Sequence, residues 1–344
     1  MSTYDPINAL LIFAAILIVA FLLFRPNKGW FWLIRKSSGS QDKILVEDIL
    51  KQLYHNENQD KHLNTNDIIR TRKESETVVV QCINTMVAHK LIEIEGDVVK
   101  LTKLGSDYAL RIVRAHRLWE KFLAEKTGFK EEEWHKMAER KEHELSTNDT
   151  DILASRLGNP QFDPHGDPIP TNTGKIARIK GVPLSKLELD TIGRIIHIKD
   201  KPDIIYRQIL AENIHIGSLI RIVEKNDSRI VFHSEGEAFV LAPIIAGNLT
   251  VSILAKDVVL EEKLARLSIL KSGEMGKIIG ISKEIRGDAR RRLLDLGFVK
   301  GAEVSIDLVN PLGDPKAFLI KGTSIALRND QASKILIKKS DYGS

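Results

Sequence analysis

An internal repeat in the second half of the chain limits the folds that this half can adopt. The pentapeptide IGRII at residues 192–196 returns as MGKII at residues 275–279, and similar helical segments follow both copies. Each copy spans about 70 residues, the size of one small β-barrel with a single inserted helix, and repeats of this kind fold as successive units. We therefore expect two tandem barrels, at residues 183–256 and 264–340.

Residues 40–105 have the element order of a winged helix-turn-helix domain. Helical apolar spacing at 42–54 is followed by a short helix at 64–71, which an Asn-Thr-Asn-Asp signal begins, and by a longer helix at 74–90. Residues 91–101 alternate around a Gly-Asp turn, which predicts a hairpin. This order predicts a DNA-binding domain whose third helix enters the major groove.

Residues 106–175 are predicted to form a helical domain that binds metal. A helix at 134–143 places two histidines and two glutamates within an arc of roughly 100°. The preceding helix at 109–126 carries a His and a Glu one turn apart. Imidazoles and carboxylates together suit a borderline divalent cation such as Mn²⁺ or Fe²⁺. The alternative is a solvated charged face with hydrogen-bonded histidines. The six candidate ligands are His116, Glu120, His135, Glu139, Glu142 and His143.

The N-terminal segment differs in character from the rest of the chain. Residues 8–24 contain no charged residue across 17 positions, which is the lower edge of bilayer-spanning length. Basic and aromatic residues follow at 25–36, as is typical of the cytoplasmic end of a membrane helix. Residues 1–36 are therefore predicted to be a single-pass anchor in the inner (cytoplasmic) membrane, with the other domains in the cytoplasm; a buried core helix is the alternative. The Ser-Ser-Gly-Ser stretch at 37–40 predicts a flexible linker.

The composition is that of a globular protein, with 43% hydrophobic and 28% charged residues. The formal net charge of +5 is compatible with a nucleic-acid or anionic-membrane partner, although charge alone is weak support. Cys82 is the one cysteine of the chain, so an intramolecular disulfide is excluded. Because Cys82 is far in sequence from the His/Glu cluster, the predicted metal site contains no thiolate.

Residues 42–175 resemble the metal-dependent repressors of the DtxR/MntR family. The resemblance depends on three motifs: HRLWE at 116–120, the element that runs from His to His at 135–143, and PHGDPIP at 164–170. It implies a metal-dependent, DNA-binding transcriptional repressor that forms a homodimer through its metal-binding domain.

Residues 267–338 resemble a FeoA domain, on the motifs LLDLGF at 293–298 and PLGDP at 311–315. The complete expectation is an α+β multidomain protein. It would have an N-terminal transmembrane helix, a winged helix-turn-helix, a helical metal-binding and dimerisation domain, and two tandem small β-barrels, the second of them FeoA-like.

The repressor resemblance implies two metal sites. In the primary site, Asp48 from the first helix of the winged domain would join Glu139, Glu142 and His143, and the second site would use His116, Glu120 and His135. These hard oxygen ligands resemble the manganese-type pattern and suit Mn²⁺ or Fe²⁺. The manganese-type family has a second acidic ligand one turn after Asp48. This chain has Lys51 there, and an ammonium cannot ligate.

The predicted DNA contacts lie in and before the third helix of the winged domain. By resemblance Gln81 faces the groove, where it could read adenine, while Arg72 and Lys73, with Arg70 and Lys90, could contact phosphates. The alternative is a winged domain that makes only protein contacts. The predicted DNA-binding residues are Arg72, Lys73, Ser75, Thr77, Val78 and Gln81.

Three functions from different classes follow. The first is a membrane-tethered, Mn- or Fe-dependent repressor of metal-uptake genes. The second is a membrane-anchored cytoplasmic metal sensor that regulates a metal transporter by protein contact, without binding DNA. The third, a metallohydrolase, needs an open coordination position and a general base. No residue of the sequence is distinguishable as that base, so we expect no enzymatic activity.

Overall fold

The computed structural model describes residue 13, residues 30–255 and residues 264–339. The chain forms two compact units. We call residues 1–115 with 140–147 the winged unit, and residues 116–139 with 148–344 the sheet unit. The helix at residues 103–126 contributes residues to both units.

The winged unit contains helices packed on a small antiparallel sheet of order β1-β3-β2. Apolar residues at helical spacing on α1, among them Ile49, Leu50 and Leu53, are fully buried and form the centre of its core. Its elements are α1 (Trp30–Glu57), β1 (Leu63–Asn64), α2 (Thr65–Arg70), α3 (Glu76–Ala88), β2 (Ile92–Glu95), β3 (Val98–Leu101) and the first half of α4 (Lys103–Lys126).

The local sequence explains where α2 begins and which face of α3 is buried. Asn64 caps α2 through a capping box, in which its side chain accepts from the Asp67 backbone N–H and Asp67 accepts from the Asn64 backbone N–H. Helix α3 buries Val79, Ile83 and Met86, a spacing that lines one face of a helix. The opposite face of α3 is therefore left to solvent.

The sheet unit begins with helices and ends with two sheets of the same design. Each sheet has six antiparallel strands, in the orders β4-β9-β5-β6-β7-β8 and β10-β15-β11-β12-β13-β14. The helices are the second half of α4, then α5 (Glu131–Lys141), α6 (Thr147–Arg156), α7 (Asp203–Ala211), α8 (Pro243–Ala246), α9 (Gly287–Asp295) and α10 (Asn329–Ala332).

The two sheets correspond to the sequence repeat. Strands β5 and β11 contain the repeated pentapeptide, and α7 and α9 follow them at equivalent positions. Phe232 in the first sheet and Phe318 in the second are fully buried at the centres of their cores. The strands are β4 (Val182–Pro183), β5 (Ile192–Ile198), β6 (Leu219–Lys225), β7 (Ile230–Ser234), β8 (Glu237–Leu241), β9 (Leu249–Ile253), β10 (Ala265–Arg266), β11 (Met275–Ile281), β12 (Glu303–Val309), β13 (Lys316–Ile320), β14 (Thr323–Leu327) and β15 (Ile335–Lys339).

The predicted N-terminal transmembrane helix is wrong for the part of the chain that is described. No helix there is both long enough and apolar enough to cross a bilayer. Helix α1 has 28 residues, but it carries charges that a bilayer core would exclude, among them Lys43, Glu47 and Lys51. The predicted span at residues 8–24 lies outside the described residues, apart from Phe13.

Three further expectations about the N-terminal part of the chain are corrected. The inner-membrane localisation and the membrane partner depended on the transmembrane helix and have no support in the described structure. The flexible linker at residues 37–40 is also wrong, because α1 runs through these residues without a break.

Candidate metal centres

The histidines and carboxylates predicted to share one helical stripe are divided by the end of α5. This helix ends at Lys141, so that His135 and Glu139 lie on it, whereas Glu142 and His143 lie in the turn that follows. The prediction of a single helix from 134 to 143 is therefore wrong at its C-terminal end. Two separate groups of ligand-type side chains result, one in each unit.

The first group, which we call the α4–α5 cluster, consists of His116, Glu120 and His135. The Nε2 atom of His116 lies 3.1 Å from Glu120 Oε1 and 3.2 Å from His135 Nδ1. His135 Nδ1 lies 3.1 Å from the same Glu120 oxygen. His116 and Glu120 are buried, at 5% and 2% exposure. Three donor atoms thus form a nearly equilateral triangle inside the sheet unit.

The contacts within the α4–α5 cluster shift the protonation of its members. Burial by itself would raise the pKa of the Glu120 carboxyl, but the adjacent His116 and His135 hold it well below its usual range. Burial would likewise lower the pKa of His135, yet its hydrogen bonds with Glu120 and Glu139 raise it to about 9. Glu139, which the resemblance assigned to the primary site, has its Oε1 atom 3.1 Å from His135 Nε2.

A buried histidine that the sequence reasoning did not single out borders the α4–α5 cluster. His165 places its Nε2 atom 3.9 Å from Glu120 Oε1, and its Nδ1 atom lies 3.0 Å from the Tyr206 hydroxyl. That hydroxyl donates a hydrogen bond to Glu131. The signal was present in the sequence, because His165 is the histidine of the PHGDPIP motif.

The second group, the α1 cluster, consists of Asp48, Glu142 and His143 in the winged unit. His143 Nε2 lies 3.4 Å from Asp48 Oδ1 and 3.7 Å from Glu142 Oε1. Burial would lower the pKa of His143, but the hydrogen bonds that its ring makes to the carboxylates of Asp48 and Glu47 raise it to about 9. The α1 cluster therefore brings together three of the four residues that the resemblance assigned to the primary site.

Glu47 is a further residue of this site that sequence reasoning missed. It is 4% exposed, and its Oε2 atom lies 2.6 Å from His143 Nδ1. The Tyr108 hydroxyl donates a 2.7 Å hydrogen bond to its other oxygen. A carboxylate on the second nitrogen of an imidazole fixes the orientation of the ring. Glu47 precedes Asp48 in the sequence, and nothing in the local pattern distinguishes it from a surface glutamate.

Two basic side chains also contact the α1 cluster. The Lys51 ammonium donates to both Glu142 oxygens, at 2.9 and 2.8 Å. Arg72 donates to the Asp48 backbone carbonyl at 3.0 Å and to the Gln52 side chain, and its guanidinium is 3.7 Å from the Asp48 carboxylate. Both cationic side chains are largely buried, at 15% and 14% exposure.

The two clusters fit a divalent cation to different degrees. Donor atoms on adjacent positions of an octahedral ion lie about 3 Å apart when each metal–ligand bond is about 2.1 Å. The α4–α5 cluster has this spacing between two imidazole nitrogens and one carboxylate oxygen. The α1 cluster has suitable donor types, but Lys51 already uses both Glu142 oxygens. The first cluster therefore fits a borderline metal, and the second, as it stands, does not.

Arg72 differs from the other predicted DNA contacts in the exposure of its side chain. Lys73, Ser75, Thr77, Val78 and Gln81 are all exposed. Arg72 is held against α1 by the contacts described above. On the hairpin, Glu93 and Glu95 of β2 and Asp97 in the turn to β3 are exposed, and Lys100 of β3 is paired with Glu95, so this wing presents mainly acidic side chains.

Two family profiles match parts of the chain. Residues 102–171 match the iron dependent repressor, metal binding and dimerisation domain, and residues 265–339 match the FeoA domain. The first match contains the whole α4–α5 cluster together with Glu142 and His143. These matches support the metal-dependent transcriptional repressors as the class of protein that this chain resembles, with a FeoA domain appended.

Two relatives show how much of the chain the sequence similarity covers. The iron-dependent repressor IdeR of Mycobacterium tuberculosis is 36% identical over 98 residues, which are 28% of this chain and 43% of that protein. A probable metal transport system membrane protein of Chlamydia trachomatis is 30% identical over 169 residues, 47% of this chain and 38% of the relative. The chain thus spans less than half the length of either relative.

Solved structures give the same class. A manganese-dependent transcriptional repressor in complex with manganese superposes with a TM-score of 0.54 at 27% identity, over 61% of this chain and 100% of that chain. The structure of ScaR with bound Zn²⁺ has a TM-score of 0.50 at 25% identity, over 61% and 99%. Iron and manganese, the metals we expected, are named for these relatives. The relatives named as repressors are regulatory proteins, which supports the expectation that this chain has no enzymatic activity.

Proposed function

We propose that this protein is a metal-responsive transcriptional repressor that binds double-stranded DNA when it has taken up Mn²⁺ or Fe²⁺. The observation that carries the proposal is the α4–α5 cluster, in which His116, Glu120 and His135 bring three donor atoms within 3.2 Å of one another. Two imidazoles with a carboxylate suit these metals. The matches to iron- and manganese-dependent repressors support the same choice.

In this proposal a divalent cation would neutralise Glu120 and join α4 to α5. Without an ion, the same two helices are connected by the hydrogen-bond contacts of His135 with Glu120 and with His116. An ion that replaces these bonds would fix the two side chains of α4 relative to His135 on α5. Linkage then requires that metal bind more tightly to the DNA-competent form than to the free one.

The exposed face of α3 is the proposed reader of DNA. Gln81 carries the amide that pairs with adenine in the major groove. Thr77 and Val78 offer methyl groups for contact with thymine. Phosphate contacts would come from exposed basic residues near the ends of α2 and α3, namely Arg70, Lys73 and Lys90. We leave Arg72 out of this interface, because it is bonded to α1, and we leave out the acidic wing.

Dimerisation and the choice of target genes complete the proposal. The profile that matches residues 102–171 is described as a dimerisation domain, so we propose a homodimer that contacts two half-sites of an operator. A regulator that responds to Mn²⁺ or Fe²⁺ and carries a FeoA domain would act on genes for metal uptake.

Fluorescence anisotropy of the full chain with labelled DNA from upstream of its own gene tests the proposal. Addition of Mn²⁺ after chelation should raise the DNA affinity about tenfold or more, within the usual range of allosteric coupling. His116→Ala should abolish this gain. His62→Ala, which removes an exposed histidine of the winged unit, is the matched control and should retain it.

Two further results separate the parts of the proposal. Lys73→Gln should weaken binding to all sequences and reduce the slope of log affinity against log salt by about one unit, whereas Gln81→Ala should reduce discrimination between sequences. If the protein binds Mn²⁺ but retains no DNA with Mn²⁺, Fe²⁺ or Co²⁺, the repressor function is refuted, and regulation by protein contact replaces it.

A further inference from the structure

The Lys51 ammonium is bonded to the carboxylate of Glu142, whose oxygens an ion in the α1 cluster would need. Its Nζ atom is 2.9 and 2.8 Å from the two Glu142 oxygens, and the Glu142 side chain is only 1% exposed. Charge-assisted hydrogen bonds of this length are strong. Both oxygens that Glu142 could offer to a metal are thus already engaged by a cation of the protein itself.

Arg72 makes similar contacts with Asp48. Its guanidinium is 3.7 Å from the Asp48 carboxylate, and one of its nitrogens donates to the Asp48 backbone carbonyl at 3.0 Å. Arginine is protonated at every accessible pH, so its charge is a permanent feature of the cluster. Each of the two carboxylates in the α1 cluster therefore has a fixed cationic partner.

These contacts join segments that are distant in sequence. Lys51 and Asp48 belong to α1, while Glu142 and His143 belong to the turn after α5. A second connection between the same segments is made by Lys43, whose ammonium donates to the His143 backbone carbonyl at 2.8 Å. The turn is thus attached to α1 by two ammonium groups of α1. The Lys51–Glu142 pair is largely buried, so solvent screens it little, whereas the Lys43 side chain is half exposed.

A divalent cation could enter the α1 cluster only by displacing these groups. It would need the oxygens that Lys51 now occupies, and it would lie within a few ångströms of two positive charges. Both effects reduce affinity for metal. The α4–α5 cluster differs, because the contacts that define it are between histidines and one glutamate.

We propose that Lys51, assisted by Arg72, is a built-in cation that takes the place of metal in the α1 cluster, so that metal is taken up at the α4–α5 cluster alone. This inference rests on the proposed function, because it assumes that the protein binds metal. The connection between α1 and the turn at 142–143 is then permanent, and one ion per chain, rather than two, controls the protein.

Metal stoichiometry tests the inference. The full chain is equilibrated with excess Mn²⁺, passed through a desalting column and analysed for manganese per chain by atomic emission. We expect one Mn²⁺ per chain for the wild type and two for Lys51→Gln, in which a neutral, slightly shorter amide side chain replaces the ammonium. Lys51→Arg, which keeps the charge, and Lys61→Gln, which removes an exposed lysine of the same unit, are matched controls and should bind one.

Ligand variants locate the ion without relying on Lys51→Gln. In the wild-type background, His116→Ala should lower the manganese content to zero, and His143→Ala should leave it at one. A second readout is thermal unfolding followed by circular dichroism. Mn²⁺ should raise the melting temperature of Lys51→Gln by more than that of the wild type, and His143→Ala in the Lys51→Gln background should remove the extra increase.

The outcomes separate this inference from the proposed function. Two Mn²⁺ ions per wild-type chain, or one ion that is lost with His143→Ala and kept with His116→Ala, would overturn the inference while leaving a metal-binding protein. A content of one for folded Lys51→Gln would also overturn it. No Mn²⁺ in any variant would refute the proposed function, and the inference with it.

Discussion

Acidification from pH 7 to pH 5 should destabilise the sheet unit through His215. This side chain is 8% exposed, and neither ring nitrogen has a hydrogen-bond partner among the described residues. Burial lowers its pKa from 6.5 to about 4, because the protonated ring would lose its hydration without gaining a partner. The folded protein therefore holds His215 in its neutral form.

The size of the effect follows from linkage. Between about pH 6.5 and pH 4 the unfolded chain binds a proton at His215 that the folded chain does not, so the free energy of unfolding falls as the pH falls. At pH 5 the unfolded state gains about 1.36 kcal/mol for each of the 1.5 pH units below 6.5, or about 2 kcal/mol. Above pH 7 both states are neutral and the contribution disappears.

Urea denaturation at pH 5, 6 and 7, followed by circular dichroism, measures this contribution as a difference between variants. His215→Leu should have a free energy of unfolding whose pH dependence is smaller than that of the wild type by about 2 kcal/mol between pH 7 and pH 5. Equal pH dependence in wild type and His215→Leu would refute the argument.

Two further predictions concern backbone features. Gly166→Ala should destabilise the sheet unit by more than about 1 kcal/mol, because Gly166 has a φ of +86° and an added Cβ would lie 2.1 Å from the Ile196 carbonyl oxygen. Urea denaturation measures this loss, and an unchanged midpoint would contradict the prediction. Asn64→Ala should cost about 1 kcal/mol through loss of the capping box of α2. Asn64→Asp serves as its control, and Asn64→Ala with the stability of that control would disprove the cap.

The sequence predicted the parts of the fold that depend on local pattern. The repeat around residues 192–196 and 275–279 corresponds to β5 and β11, because the same alternation of buried and exposed positions builds the same strand twice. The start of α2 followed from its cap, since Asn64 and Asp67 interact over three residues. In such cases the determining contacts lie close together in the chain.

The features that sequence reasoning missed depend on contacts across long sequence separations. The residues from Lys141 to Glu144 are all compatible with a helix, yet α5 ends at Lys141. Glu142 and His143 instead bond to residues of α1 that lie about 90 positions earlier in the chain. Arg72 has the position and charge of a phosphate contact, yet its partners are on α1. Similarly, nothing in the local sequence indicated that Glu47 would be buried beside His143.

The hydrogen bond from Tyr108 to Glu47 has a consequence for how the winged unit holds its shape. Tyr108 is on α4, Glu47 is on α1, and the same glutamate contacts His143 in the turn after α5. Three segments from different parts of the chain thus meet at one buried carboxylate, which prevents rotation of the His143 ring. Loss of the tyrosine hydroxyl alone would remove one of the bonds that orient this carboxylate, so the His143 ring would exchange between several orientations while Lys43 and Lys51 still attach the turn to α1.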